Sequence, residues 1–250
     1  MTDLALTQAL EERLLIVWPA VTTLLREDWA VRFANGYSGR ANSASPLRPR
    51  ATISAGFLDD VEQFYRAAGL PPQFRLTPLA EIGMEELLVA RGYRIKDRAI
   101  TMTVALESAP SGDPRVTVAD VPEVGWLHGI SARQEPSKRS PDHLHAITSR
   151  ISVPAGFATL RLNGTDCGFG FCAIDRGWAE IGLVVVDGAV RGTGLGRVLV
   201  SSIMSWAAAR GARNAFLQVD IENTPACRLY GSLGFTPVYD YATLVKDQPR

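Results

Sequence analysis

Ile181-Gly182-Leu183-Val184-Val185-Val186-Asp187-Gly188-Ala189-Val190-Arg191-Gly192-Thr193-Gly194-Leu195-Gly196-Arg197-Val198-Leu199 is the stretch on which the fold turns. It begins as a run of aliphatic, largely β-branched residues, the composition of a buried strand. A glycine-rich turn follows and opens into a helical pattern. Glycines at 192, 194 and 196 let backbone N–H groups approach an anion without a Cβ in the way. The helix presents the positive end of its dipole at the same place, and Arg191 and Arg197 add full charges. Strand, turn and helix in this order make a seat for a phosphate-bearing ligand.

Three other readings of the turn have to be weighed. A dinucleotide-binding fold uses G-x-G-x-x-G, whereas Gly192-Thr193-Gly194-Leu195-Gly196 has a different spacing, and fewer than sixty residues follow it. A nucleoside triphosphatase loop needs Gly-Lys-Ser/Thr, and here Gly196 precedes Arg197-Val198. A purely structural glycine turn is the third.

Working outward, the chain of 250 residues suits one large or two modest domains. Apolar residues make up 46% and charged residues 21%, a globular balance that argues against disorder. Lys+Arg and Asp+Glu both number 26, so no global basic field draws the chain to nucleic acid or a membrane surface. Cys167, Cys172 and Cys227 form no C-x-x-C pair and read as free thiols of a reducing cytoplasm. Asp3, Glu11, Glu12 and Arg13 interrupt the apolar N-terminus, which reads as an amphipathic helix and not as a signal peptide. No stretch reaches the roughly 18 uncharged apolar residues of a membrane span. A cytoplasmic location is expected.

Glu107-Ser108-Ala109-Pro110-Ser111-Gly112-Asp113-Pro114 excludes helix and central strand and marks a boundary. The expected domains are 1–108 and 115–250, with 109–114 as linker. The two sides echo each other. Gly69 and Gly211, Phe74 and Phe216, Leu87 and Leu229, and Gly92 and Gly234 each stand 142 positions apart. The first half reads as helix 61–68, strand 73–77, helix 84–91 and strand 94–106. The second reads as helix 196–210, strand 214–219, helix 224–233 and strand 236–245. The glycine turn is not repeated: its counterpart, Pro49-Arg50-Ala51-Thr52-Ile53-Ser54, has no glycine. Earlier in the second half, strand 115–118 leads to a helix capped by Asp120 with Pro122 in its first turn, then a helix over 141–150. Strands 156–162 and 166–174 form a hairpin around Asn163-Gly164, and Asp175-Arg176-Gly177 turns into strand 178–186. The sheet must be mixed.

This order, with the glycine turn, resembles the GNAT superfamily of acyl-CoA-dependent N-acetyltransferases. There a strand ending in Val is followed by Arg/Gln-x-x-Gly-x-Gly/Ala at a helix start. Here Val186 is followed by Arg191-Gly192-Thr193-Gly194-Leu195-Gly196. The downstream motif appears as Asn223, Ala226, Tyr230, Gly234 and Phe235. The likeness covers residues 115–246, the first half looks like a degenerate copy, and the layout resembles tandem members. Trp29–Tyr37 and Arg40-Ala41-Asn42-Ser43 also look like the opening of many bacterial members. The resemblance implies an α/β (α+β) fold of two GNAT-like halves, each a mixed, mostly antiparallel twisted sheet flanked by helices. It implies that amides of Gly192–Arg197 hold the pyrophosphate of acetyl-CoA and that main-chain groups of Val184, Val185 and Val186 pair with the pantetheine arm. Asn223 would bond that arm, and Tyr230 would lie near the sulfur. No metal is implied.

Acetyl transfer to an amine needs a base, because an alkylammonium titrates near pKa ~10. It also needs a donor for the developing oxyanion, for which a backbone N–H around Leu183–Val185 would serve, and an acid for the leaving thiolate. Tyr230 is the candidate acid, with a half-buried packing role as the alternative; the first half has Leu88 at the matching position. Relatives carry a carboxylate where this chain has Gln218. Glu180 is the next choice for the base, against a solvated strand residue, and Asp220 or Glu222 could act through water. His143 and His145 stand two apart on a helix and do not share a face. Trp178, Phe169 and Phe171 read as core. Lys138-Arg139 would sit where the family walls its acceptor pocket and could read an acidic substrate. The expected partners are acetyl-CoA and a small amine or peptide. Monomer and homodimer both stay open, and an acyl-CoA-binding regulatory module without turnover is the alternative function.

Overall fold

The computed structural model describes residues 2–135 and 140–247. Helix α1 (Leu4–Val17) starts where the Asp3 carboxylate accepts from the Leu6 amide, and Thr7, Leu10, Glu11, Leu14 and Val17 form its buried stripe. Strands β1 (Thr22–Arg26), β2 (Trp29–Phe33) and β3 (Ala44–Pro46) follow, none of them anticipated. Helix α2 (Ala55–Ala67) is capped by Ser54 and begins six residues before the expected start. Strand β4 (Gln73–Leu76), helix α3 (Met84–Ala90) and strand β5 (Arg94–Ala105) fall where the pattern put them.

The second half contains β6 (Val116–Ala119), α4 (Val124–Ala132), α5 (Pro141–Thr148), β7 (Ala155–Leu162), β8 (Thr165–Asp175) and β9 (Trp178–Val186). It continues with α6 (Leu195–Ala209), β10 (Asn214–Asp220), α7 (Thr224–Ser232) and β11 (Thr236–Val245). Asn163 and Gly164, both at positive φ, close the β7–β8 hairpin as the Asn-Gly signal requires. One expectation fails. Asp120 caps no helix, because its carboxylate instead accepts from Arg210 at 3.0 Å; α4 begins at Val124, after Pro122.

The expected pair of sheets is joined into one of eleven strands, ordered β1-β2-β3-β4-β11-β5-β10-β9-β8-β7-β6. β3–β4 and β9–β10 pair in parallel, and the other neighbours are antiparallel. At the centre the halves interlock. β5 lies between β10 and β11, and β11 lies between β4 and β5. Ala99 pairs with Tyr241, which is its own counterpart 142 positions on, and the pair Arg98–Ala242 maps in the same way onto Asp240–Ile100. The register is thus two-fold symmetric about Ala99–Tyr241.

Alternation along the strands supplies three cores. Ala215, Leu217 and Val219 of β10 pack with α6, and Ala242 and Leu244 of β11 pack with α2. On the opposite face Phe216, Tyr239 and Tyr241 join Leu10, Leu14, Trp126 and Leu144 of α1, α4 and α5. Phe169 and Phe171 are buried in that cluster, with Trp178 packed against it. No helix among the described residues is long and apolar enough to cross a membrane.

Two irregularities in β9 position the site. Its parallel pairing with β10 ends at Glu180–Phe216, and past that point no register pairs the two strands. Opposite β8 the register jumps from Gly182–Phe171 to Val185–Phe169, leaving Leu183 and Val184 as a bulge with Leu183 at φ +53°.

Candidate active site

The glycine turn ends on Gly194, whose φ of +84° makes it the N-cap of α6 without a side chain to spend on capping. Among the described residues no turn or cap hydrogen bond is donated by an amide of residues 192–197. Those donors are available to an outside acceptor, as a helix N-terminus leaves them. A groove of about 640 Å³ runs from this turn along Val184, Val185 and Val186 to Asn223 and Tyr230. Arg191, Gly192, Gly194, Gly196 and Arg197 also line it. Four expected contributors differ in detail. The Leu195 side chain is buried in the core, so only its amide could face a ligand. The Thr193 hydroxyl donates to the Val190 carbonyl at 2.7 Å. Arg191 Nε donates to the Val186 carbonyl at 3.2 Å, and Arg197 donates to the carbonyl and hydroxyl of Ser232.

A second cavity, of about 390 Å³, opens on the other side of the splayed strands. Val184, Asn223, Ala226 and Tyr230 line both spaces. The first half contributes much of this second wall, including Tyr37, Arg40, Arg75 and Asp97. The β10, β5 and β11 registers lay out its floor. Gln218 faces Thr101, Asp220 faces Ala99 beside Tyr241, and Asp97 faces Thr243 beside Arg75.

Glu180 is fully buried at the end of the β9–β10 pairing, which excludes the solvated alternative. Its Oε1 accepts from Arg40 at 2.6 Å, while Oε2 has no partner among the described residues. Burial raises its pKa, and the Arg40 charge and hydrogen bond partly oppose that rise. Gly182 is what makes room for the carboxylate: a Cβ there would lie 3.1 Å and 3.3 Å from its two oxygens. Gln218, at the expected carboxylate position, accepts from Arg40 at 2.7 Å, so one arginine joins the two strands across the split.

Arg40 is the residue that sequence reasoning missed as a site group. The only signal was its place in the Arg40–Ser43 segment. That segment is held rigidly. Asn42 accepts from the amides of Ala34 and Gly36 and donates to the carbonyl of Ser38. Arg32 donates to the Arg40 carbonyl, and the Arg40 guanidinium lies 5.4 Å from the centre of the Trp18 ring.

Tyr230, on α7, packs edge-on against Phe235 and is 9% exposed, with no hydrogen-bond partner for its hydroxyl among the described residues. Burial and the Glu180 charge push its pKa up to about 12, so it is a proton donor throughout the neutral range. Asn223 caps α7, its Oδ1 accepting from the Ala226 amide at 3.2 Å, which leaves its amide N–H groups for a ligand. Asp220 lines the second cavity, whereas Glu222 lies outside it. His143 and His145 lie on α5. Lys138 and Arg139 fall outside the described residues. Cys167, Cys172 and Cys227 are free thiols.

A family model described as "Probable histone acetyltransferase Rv0428c C-terminal" matches residues 6–242 of the chain. The chain belongs to this family. It is a GNAT-type acyltransferase. The "Uncharacterized N-acetyltransferase YobR" of Bacillus subtilis is 26% identical over 235 residues, covering 92% of this chain and 94% of that protein. The "Mycothiol acetyltransferase" of Thermobispora bispora is 41% identical over 90 residues, a local match spanning 33% of this chain and 30% of that protein. A GCN5-related N-acetyltransferase from Kribbella flavida shares the fold, with a TM-score of 0.71 at 18% identity over 100% of this chain and 97% of that one.

Proposed function

We propose that this acetyltransferase moves the acetyl group of acetyl-CoA onto a primary amine by direct attack, with both substrates bound together. The observation that carries this reading is the meeting of two cavities at Val184, Asn223, Ala226 and Tyr230. The cofactor groove has the unused amides of residues 192–197 at one end and the bulged strand at the other. Amides of Gly192, Thr193, Gly194, Leu195, Gly196 and Arg197, with Arg191, would hold the diphosphate, and Asn223 with the backbone of Val184–Val186 would hold the pantetheine arm. Glu180, buried beside Gly182 of the second cavity's wall, takes a proton from the amine through Oε2. A backbone N–H at the Leu183–Val185 bulge donates to the carbonyl oxygen as it gains charge. The N–C bond forms, the C–S bond breaks, and Tyr230 gives its proton to the departing sulfur.

Under this proposal the N-terminal half (1–108) frames the acceptor and supplies Arg40, and the C-terminal half (115–250) binds the cofactor. The symmetric register about Ala99–Tyr241 supports a tandem duplication whose first copy lost the glycine turn. The free thiols and ordinary charge balance support a cytoplasmic location. Gln218 favours one other reading, an acyl-CoA-binding module without turnover. Thiol release from acetyl-CoA that depends on added amine supports the enzyme. Tight acetyl-CoA binding with no turnover on any amine or peptide supports the module.

A further inference from the structure

The acceptor cavity carries an unbalanced charge. Three arginines line it, and each is already paired: Arg40 with Glu180, Arg75 with Glu11, and Arg98 with Glu85. Asp97 and Asp220 also line it, and neither makes an ion pair among the described residues. Two carboxylates are therefore left as the net charge of the described wall. Independent of them, two residues of this wall bury polar atoms that have no partner among the described residues. Tyr37, 1% exposed, has an unbonded hydroxyl, and Arg75, also 1% exposed, has an unbonded Nε–H. Glu180, fully buried, keeps its unbonded Oε2 beside Gly182, which is itself part of the wall. Such atoms are costly to bury unless a ligand or water meets them.

Resting on the acetyltransfer reading, we propose that the acceptor is a dication: a primary amine with a second positive charge at a fixed distance. The reacting nitrogen docks on Glu180 Oε2 and the Tyr37 hydroxyl, both able to accept its N–H groups. The second cation lies against Asp220 and Asp97. The sheet sets the spacing. Gln218, which shares Arg40 with Glu180, and Asp220 are alternate residues of one strand, about 6.6 Å apart, a gap that roughly four to five methylenes span. Asp97 stands in the next row of the floor, facing Thr243, and extends the acidic track. Ala99, between the two aspartates, leaves room for the aliphatic linker.

The test uses the full-length protein with three acceptors of matched length: 1,5-diaminopentane, 1-aminopentane and 6-aminohexanoate. Thiol release from acetyl-CoA should give a kcat/KM for the diamine at least about tenfold above that for the monoamine, expressed mainly in KM. Asp97→Asn with Asp220→Asn should bring the two within about twofold, with an unchanged melting temperature as the check on folding. Calorimetric titration of the same amines into the protein saturated with CoA reads selection without turnover. Diamine-selective binding with no thiol release sustains the dication and removes the enzymatic reading. Turnover or binding that treats monoamine and diamine alike, or that prefers 6-aminohexanoate, overturns the dication and leaves acetyl transfer standing. If the double variant fails to fold, the wild-type panel alone decides.

Discussion

Glu180 holds one oxygen on Arg40 and leaves the other bare, so its protonation is set by a contest between burial and a single guanidinium. Removing that guanidinium has a definite sign. In Arg40→Met burial acts unopposed, the Glu180 pKa rises further, and less carboxylate is present at any given pH. The acid limb of the kcat–pH profile therefore moves to higher pH, and Arg40→Lys moves it part of the way back. An unmoved limb would remove Glu180 from proton transfer. By linkage, a carboxyl whose folded pKa is raised costs the native state stability as pH climbs through that pKa. Tyr230 gives the complementary prediction. Tyr230→Phe keeps the contact with Phe235 but has no proton to give, so kcat should fall at least about tenfold while acetyl-CoA affinity stays within a few-fold. Single-turnover kinetics with a titrated acetyl-CoA concentration separate the two effects. The cofactor-side groups were readable because turn, helix start and capping asparagine lie within forty-odd residues and follow local rules. Arg40 was not, because its partner is 140 positions away and nothing local to residues 36–44 declares it.

Among the elements, α1 is tied to the sheet by chemistry that its apolar stripe does not reveal. Glu11, 3% exposed, accepts from both terminal nitrogens of Arg75 on β4 and from the Tyr239 hydroxyl on β11. The Arg75 guanidinium lies 3.7 Å from the centre of the Tyr241 ring. Glu11→Ala would strand a buried arginine, and urea unfolding should show a loss of about 3–5 kcal/mol. Replacing both Glu11 and Arg75 by Met should cost less than Glu11→Ala, since no charge is then left unpaired. Helices and strands after residue 55 were legible because their periodicities are long and recur at the 142 offset. β1, β2 and β3 were not. They are three to five residues long; β1 is exposed throughout, and β2 and β3 are buried on both faces or nearly so, so neither pattern alternates. The misplaced cap at Asp120 has a similar cause. A residue suited to capping was claimed by Arg210, ninety positions away.

For the whole molecule, the boundary seen in composition does not coincide with a break in hydrogen bonding. β5 is bonded on both sides to strands of the second half, and β11 on both sides to strands of the first. Residues 1–108 expressed alone should therefore leave a twelve-residue strand with no partner of its own. Residues 115–250 alone should lose Arg40 as well as β5, the strand that joins β10 to β11. Each fragment is expected to aggregate or to show no cooperative melt, and co-expression should recover a soluble pair that binds acetyl-CoA. Circular dichroism melts and acetyl-CoA titration of the fragments check this. Two well-folded, separately melting fragments would contradict it. The offset of 142 hinted at two copies, but no sequence pattern distinguishes side-by-side copies from interlocked ones, because both bury the same residues.

The threading of β5 also constrains biosynthesis. Its two neighbours, β10 and β11, are translated more than a hundred residues after it, so no part of the central ladder can close until β10 has left the ribosome. The nascent chain must carry an unmated strand through more than a hundred residues of elongation, and rare codons or truncations in the stretch that encodes β10 and β11 would therefore be felt at the middle of the sheet.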